Sequence, residues 1–171
     1  MPQVYKTKKA LIAPMLLAVI LSIPVFVDVI LSGFATKMLI MAIPLMVLFY
    51  LFALNNLIKR VLVDPHEIVI KSLFGSIRIG ADEITRIDGI TMGSRQFITL
   101  STKKRSHLIP NSFDNFPGII DSIRGMAPGE TIGQGLEQLR ENVVNRKSDI
   151  TMSWITVILL AIIILIRFFP R

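Results

Sequence analysis

Arg95-Gln96-Phe97-Ile98-Thr99-Leu100-Ser101 alternates strictly, with Phe97 and Thr99 on one side of an extended chain and Ile98 and Leu100 on the other. A period of two is the mark of a half-buried strand, so this stretch sets the reading of everything around it. It lies inside residues 60–125, the only long part of the chain whose apolar residues alternate instead of running on. Three continuous apolar runs lie outside it.

The first run, Ala10 to Leu31, follows Lys6, Lys8 and Lys9, and its 22 residues suffice to cross a hydrocarbon core of roughly 30 Å at about 1.5 Å per residue. A cleaved signal peptide does not fit, because the run is too long, Pro14 and Pro24 interrupt it, and a second run follows at once. Ser32-Gly33-Phe34-Ala35-Thr36-Lys37 leaves room only for a tight connection. The second run, Met38 to Ile58, therefore returns antiparallel and leaves through Asn55, Asn56, Lys59 and Arg60. A third, Ile150 to Ile166, follows Arg146 and Lys147, with Trp154 near its start and Phe168-Phe169 after its end where interfacial aromatic belts are expected. A buried core helix is the alternative for this last run, disfavoured by the lack of any polar face.

Of the net charge of +7, +3 precedes the first run and +2 lies at the carboxyl end, while residues 59–151 contribute only +2. The basic excess thus flanks membrane spans, and the high pI does not imply a nucleic-acid partner. Lys6, Lys8, Lys9, Lys59 and Arg60 crowd one mouth of the hairpin against Lys37 at the other. The amino terminus and the segment after residue 59 are accordingly expected in the cytoplasm, with the carboxyl terminus outside. The absence of cysteine excludes disulfides, thiolate metal ligands and thiol nucleophiles.

Within the polar segment, Val61-Leu62-Val63 opens a sheet, Asp64-Pro65-His66-Glu67 turns it, and Ile68 to Ser72 returns as a strand. After Phe74-Gly75, Ile77 and Ile79 alternate with Ser76, Arg78 and Gly80, giving one buried and one solvated face. Ala81-Asp82-Glu83 leads into Ile84 to Met92, whose Ile84, Ile87 and Ile90 are spaced by three. Lys103-Lys104-Arg105 tips the next hairpin, before His107-Leu108-Ile109. A helix capped by Ser112 or Asp114 then turns Phe113, Phe116, Ile119, Ile120 and Ile123 inward and ends at Gly125 and Pro128. Thr131 to Lys147 repeats a helical pattern through Ile132, Leu136, Leu139 and Val143.

The run Val63-Asp64-Pro65-His66-Glu67-Ile68-Val69-Ile70-Lys71-Ser72-Leu73-Phe74-Gly75, then Ala81 to Ile87, then Ser112-Phe113-Asp114-Asn115-Phe116 before a helix, resembles the bacterial pleckstrin-homology-like domains, many of which are attached to a two-helix membrane hairpin. The likeness covers residues 60–126 and the preceding hairpin, and rests on pattern and spacing. It implies an α+β membrane protein: a transmembrane hairpin over residues 1–59 with spans at about 10–31 and 38–58, then a small antiparallel β-barrel over 60–126 capped by a C-terminal helix. An amphipathic linker helix over 127–149 and a third transmembrane helix over 150–171 complete the expected organisation. It further implies a non-enzymatic binding or scaffold module in a bacterial inner membrane, without cofactor or metal, acting as an accessory subunit with a membrane-protein partner or a second copy. Members that hold phosphoinositides place several basic residues across the first hairpin. Here Lys71 and Arg78 stand alone, with Ser76 and Ile77 beyond the turn, so specific inositide binding is not expected.

The candidate contact residues for an anionic lipid or a partner are Lys71, Arg78, Lys103, Lys104 and Arg105. Against them stands the ordinary solvated hairpin turn. Asp64, His66 and Glu67 around a proline turn read as a surface turn before they read as a metal site. Asp28 lies close enough to a span end to reach the interface, with Lys37 across the loop as its partner, and so does not mark an ion path. Gly129, Gly133 and Gly135 follow no strand, as a nucleotide loop would require, and read as linker or helix-start residues. A membrane enzyme or transporter component ranks behind the scaffold and lipid-sensor readings, because no paired charges or ligand clusters are visible in the spans.

Overall fold

The computed structural model describes residues 2–32, 36–144 and 147–169. The chain divides into two compact units, one of residues up to Lys8 together with Ile58–Lys147, the other of Lys9–Leu57 with the residues from Ser148 onward.

The second unit consists of α1 (Lys9–Leu31), α2 (Thr36–Ile58) and α5 (Lys147–Phe168). All three are long and apolar enough to cross a membrane. Small residues make their contacts: Ala18, Ser22 and Ala53 are buried, as is Val157. Ser22 donates to the Val19 carbonyl at 2.7 Å and shares a 3.0 Å hydrogen bond with the Tyr50 hydroxyl, against whose ring Phe26 packs edge-on. The sequence reading gave Asp28 to Lys37, whose side chain lies outside the described residues, as do residues 33–35 of the loop. The structure gives Asp28 to Arg167, whose Nε donates at 2.8 Å while Nη2 reaches Ser32 Oγ at 3.0 Å. The spans thus do hold a charge pair. It lies three residues from the end of α1 and one from the end of α5, where both side chains can reach an interface. Because both partners stand at the carboxyl ends of their helices, α5 runs parallel to α1.

In the other unit the expected barrel is not closed. Among the described residues seven strands form two open antiparallel sheets, ordered β1-β2-β3-β4 and β5-β6-β7. The first contains β1 (Gln3–Lys6), β2 (Arg60–Val63), β3 (Glu67–Ser72) and β4 (Gly75–Gly80); the second contains β5 (Ile84–Met92), β6 (Arg95–Thr102) and β7 (Ser106–Pro110). Between β4 and β5 the single 3-10 turn Ala81–Glu83 changes the chain's direction, and no ladder joins the two strands. On the other side the edge of β1 meets not β7 but the residues after it, through a Thr7–Phe113 bridge and hydrogen bonds from Lys8 N to Ser112 O and from Asp114 N to Lys6 O.

β1 precedes the first apolar helix and is absent from the sequence reading, which started the sheet at Val61. Its inward Tyr5 is buried, and its hydroxyl bonds Gly118 O at 2.9 Å, Ser122 Oγ at 2.8 Å and Gln3 Oε1. A register shift between Ile84 and Arg86 explains the spacing of three in β5: the irregularity turns both Ile84 and Ile87 inward and leaves Ile90 on the outer face. α3 (Phe116–Met126) buries Phe116, Ile119, Ile120 and Ile123 as the helical period requires. Its cap is neither Ser112 nor Asp114 but Asn115, in the left-handed region at φ 49°, whose Oδ1 accepts from Gly118 N at 3.2 Å. Phe113 is buried ahead of the helix, beneath the Lys59 ammonium 5.7 Å from its ring centre.

The linker helix expected over 131–147 is also corrected. α4 is only Gln134–Glu141, because Ile132 is held in a parallel bridge to Ile87 and Gly133 N donates to Ile87 O at 2.7 Å. Leu136 and Leu139 are buried against the sheet, while Val143 is exposed. Gly133 and Gly135 stand at the start of α4, the helix-start half of their sequence reading, and not in a linker. A Cβ on Gly135 would lie 2.4 Å from Gly89 O, and one on Gly133 2.7 Å from the Asp88 carboxylate, so their lack of side chains lets this segment cover the edge of β5.

Candidate interaction surface

Register assembles what the sequence leaves scattered. Pairing across the first sheet puts Lys6, Arg60, Lys71 and Ser76 in one row, and Val4, Leu62, Val69 and Arg78 in the next row of the same face. The intervening rows, such as Tyr5-Val61-Ile70-Ile77, face the core. Lys6, Arg60, Lys71 and Arg78 are all exposed, so this outer face carries four cations. Glu67, further along β3 on the same face, and Asp64 beyond β2 place acids at its other end. Charge is therefore graded along the strands, and the basic end is the one adjoining Lys9 and Ile58, where α1 begins and α2 ends.

Lys71 and Arg78 thus share one face with two cations that the sequence reading used only for topology. Lys103, Lys104 and Arg105 do not join them. They cap the β6–β7 hairpin of the second sheet, in a turn closed by Thr102 N to Arg105 O at 2.8 Å and by Thr102 Oγ1 to the same carbonyl at 2.9 Å. That turn lies at the end where β5 starts, directly after the acidic end of β4. Asp64 and His66 belong to the β2–β3 turn, with His66 N donating to Asp64 Oδ1 at 3.4 Å. Among the described residues no group of three or more His, Cys, Asp or Glu could hold a metal.

Two polar residues to which the sequence reading gave no site role organise the passage toward α5. Gln96 and Asn111 are each 1 % exposed. Gln96 Nε2 donates to Asn142 O at 2.6 Å and its Oε1 accepts from Val144 N at 2.9 Å, while Asn111 Nδ2 donates to Ser94 O at 3.2 Å and Val144 O at 3.1 Å. Residues 142–144 are clamped to the end of the second sheet, three residues before α5. A signal for Gln96 was present in the alternating stretch, since it stands in phase with buried Ile98 and Leu100. The flanking Arg146 and side chain of Lys147, assigned to hold the third span in place, lie outside the described residues.

No protein-family model, curated protein or solved structure matches this chain. Its three long apolar helices make it a multi-pass, membrane-embedded protein with a separate unit of sheets and short helices.

One further feature of the first sheet bears on binding. β4 is its open edge, and Ile77, although in a core-facing row, is 45 % exposed. The sequence reading buried Ile77 with Ile79; only Ile79 is covered, at 1 %. With no ladder joining β4 to β5 among the described residues, Ile77 is left half-exposed.

Proposed function

We propose that this protein is a membrane-anchored, non-enzymatic binding module of the bacterial pleckstrin-homology-like kind, an accessory subunit that takes an extended segment of a membrane-protein partner along β4. The observation that carries the reading is the open β4 edge with the half-exposed Ile77 behind it. An unpaired edge offers main-chain hydrogen bonds, and an apolar position in an inner row offers a side-chain contact, the two ingredients of strand addition. The reading of residues 60–126 as such a module rests on their sequence pattern and spacing. A photo-crosslinking residue at position 77 of the full-length protein in its native membrane should trap a discrete partner, whereas one at position 104 should not. Ile77→Lys should remove the stoichiometric partner from mild-detergent preparations while leaving the circular dichroism unchanged. Retention of the partner by that variant would reject β4 as the docking edge.

The orientation that goes with this function has the sheet unit in the cytoplasm of a bacterial inner membrane. Its support is the crowding of Lys6, Lys8, Lys9, Lys59 and Arg60 at one mouth of the helical hairpin. Since α5 runs parallel to α1, Ser32 and Phe169 belong to the same, outer side. Single cysteines in this cysteine-free chain should react with a membrane-impermeant thiol reagent at 32 and 169 in intact cells and be protected at 101. Labelling at 101 with protection at 32 would invert the assignment.

A further inference from the structure

On the outer face of the first sheet the charges are sorted by row. Pairing sets Lys6 beside Arg60 and Arg60 beside Lys71, so three cations stand abreast on neighbouring strands. Two rows along β3 from Lys71, Glu67 points to the same side, and Asp64 lies opposite it, where Asp64 N donates to Glu67 O at 2.9 Å. The row between is apolar on three strands, through Val4, Leu62 and Val69, and ends at β4 in Arg78. Val4 is 50 % exposed and Leu62 is half-buried. Like charges directly opposite each other on adjacent strands repel. Among the described residues no opposite charge lies within ion-pair distance of Lys6, Arg60, Lys71 or Glu67. Each end of the face thus keeps an uncompensated charge, and each carries the sign that the other lacks.

We infer that this face is the contact surface of a homodimer, in which the first sheets of two copies stack face to face about a two-fold axis lying along the apolar row. Rotation about that axis keeps each strand over its own counterpart and reverses its direction. Lys71 then stands over Glu67 of the second copy and Arg60 over Asp64 of the second copy, while Val4, Leu62 and Val69 cover their own equivalents. A two-fold axis along the strands would instead lay the cation row on itself, so charge selects the antiparallel arrangement. Stacked sheets stand about 10 Å apart, a gap that a lysine and a glutamate reaching from opposite sides can close. Arg78 alone meets its own equivalent, at the β4 rim where water screens the pair. An acidic segment or an anionic lipid surface would answer the cations but repel Glu67 and Asp64. A partner that carries both signs in reverse order matches both ends, and the face itself is such a partner. The surface is separate from the open β4 edge invoked above, and neither proposal depends on the other.

Charge exchange in the full-length protein tests this, with the monomer–dimer equilibrium followed in mild, uncharged detergent at low ionic strength by sedimentation. Lys71→Glu and Glu67→Lys should each weaken association about tenfold or more, because each sets two like charges against one another twice across the two-fold axis. Lys71→Glu/Glu67→Lys should restore it to within a few-fold of the unaltered chain, since every copy then carries both exchanged charges. Arg78→Ser should strengthen association slightly. In a chain whose single cysteine replaces Leu62, a bis-maleimide matched to the sheet spacing of about 10 Å should join two copies, and one at position 104 should not. A chain that stays monomeric, or single exchanges that associate like the unaltered chain, would overturn the proposal. So would a double exchange that stays dissociated or weakening by Arg78→Ser, either of which marks an acidic protein segment as the occupant, and so would association that requires added phosphatidylglycerol, which marks lipid.

Discussion

Replacing Gly89 by alanine is expected to destabilise the sheet unit by about 1–3 kcal/mol, and replacing it by valine by more. A Cβ at position 89 would lie 2.2 Å from Gly135 O, 2.3 Å from Leu139 Cδ1 and 2.6 Å from Gly135 C. Leu139 can swing aside, but the carbonyl of Gly135 is main chain at the start of α4 and moves only with the helix. Moving α4 lifts Leu136 and Leu139, both 1 % exposed, out of the core and strips the cover from the β5 edge. For a unit of this size the loss corresponds to a fall of about 4–8 °C in melting temperature per kcal/mol, measurable by the sheet signal of detergent-purified protein. Gly125→Ala is the matched control, since its Cβ would meet nothing within 4 Å and it stands in the last turns of α3. That change should be neutral or stabilise by up to about 1 kcal/mol. Equal melting temperatures for the two variants would show that α4 does not lie against β5.

Gln96→Leu is expected to free the passage between the second sheet and α5. The substitution keeps roughly the same volume and removes both hydrogen-bonding atoms, leaving Val144 N and Asn142 O without the partners that now stand at 2.9 and 2.6 Å. Losing the two hydrogen bonds costs about 1–3 kcal/mol together, and the exposed residues 142–144 regain partners by detaching into water. Amide exchange at residues 142–144 should therefore accelerate by one to two orders of magnitude, about 10-fold for each 1.4 kcal/mol, and protease should cut there first. Thr99→Val in the same strand is the contrast. Thr99 Oγ1 is buried without a hydrogen-bond partner, so losing it should leave stability unchanged or slightly raised. Unchanged exchange at 142–144 in the Gln96 variant would place the hold on Asn111 alone.

The features legible in the sequence are those that one segment decides by itself. Apolar length is such a property: Ala10 to Leu31, Met38 to Ile58 and Ile150 to Ile166 each read as a span because burial in hydrocarbon depends on the composition of the run and not on its neighbours. Periodicity is another, so β3, β6 and the inward face of α3 could be read from Ile68 and Ile70, Ile98 and Leu100, and Ile119, Ile120 and Ile123. Tertiary structure decided whatever depends on two distant segments meeting. β1 has only Val4 and Tyr5 as its local signal and becomes a strand because β2, far along the chain, offers it an edge that pairs Tyr5 with Val61 and Lys6 with Arg60.

 The same long-range register turns Lys6, Arg60 and Lys71 from three isolated cations into one row. The closed barrel failed for a related reason: closure needs a ladder between β4 and β5, and hydrogen-bonded edges leave no trace in hydrophobic patterning. Gly89 and Gly135 look like flexible points until the two backbones are seen to touch, and Gln96, in phase with buried Ile98 and Leu100, has no visible partner for its amide until the main chain of 142–144 arrives to satisfy it. Asp28 likewise pairs with Arg167, 139 residues away, a partner that no local pattern names. Burial and periodicity are written residue by residue along the chain, whereas register, close approach and ion pairing are properties of pairs, and only the folded chain specifies which pairs exist.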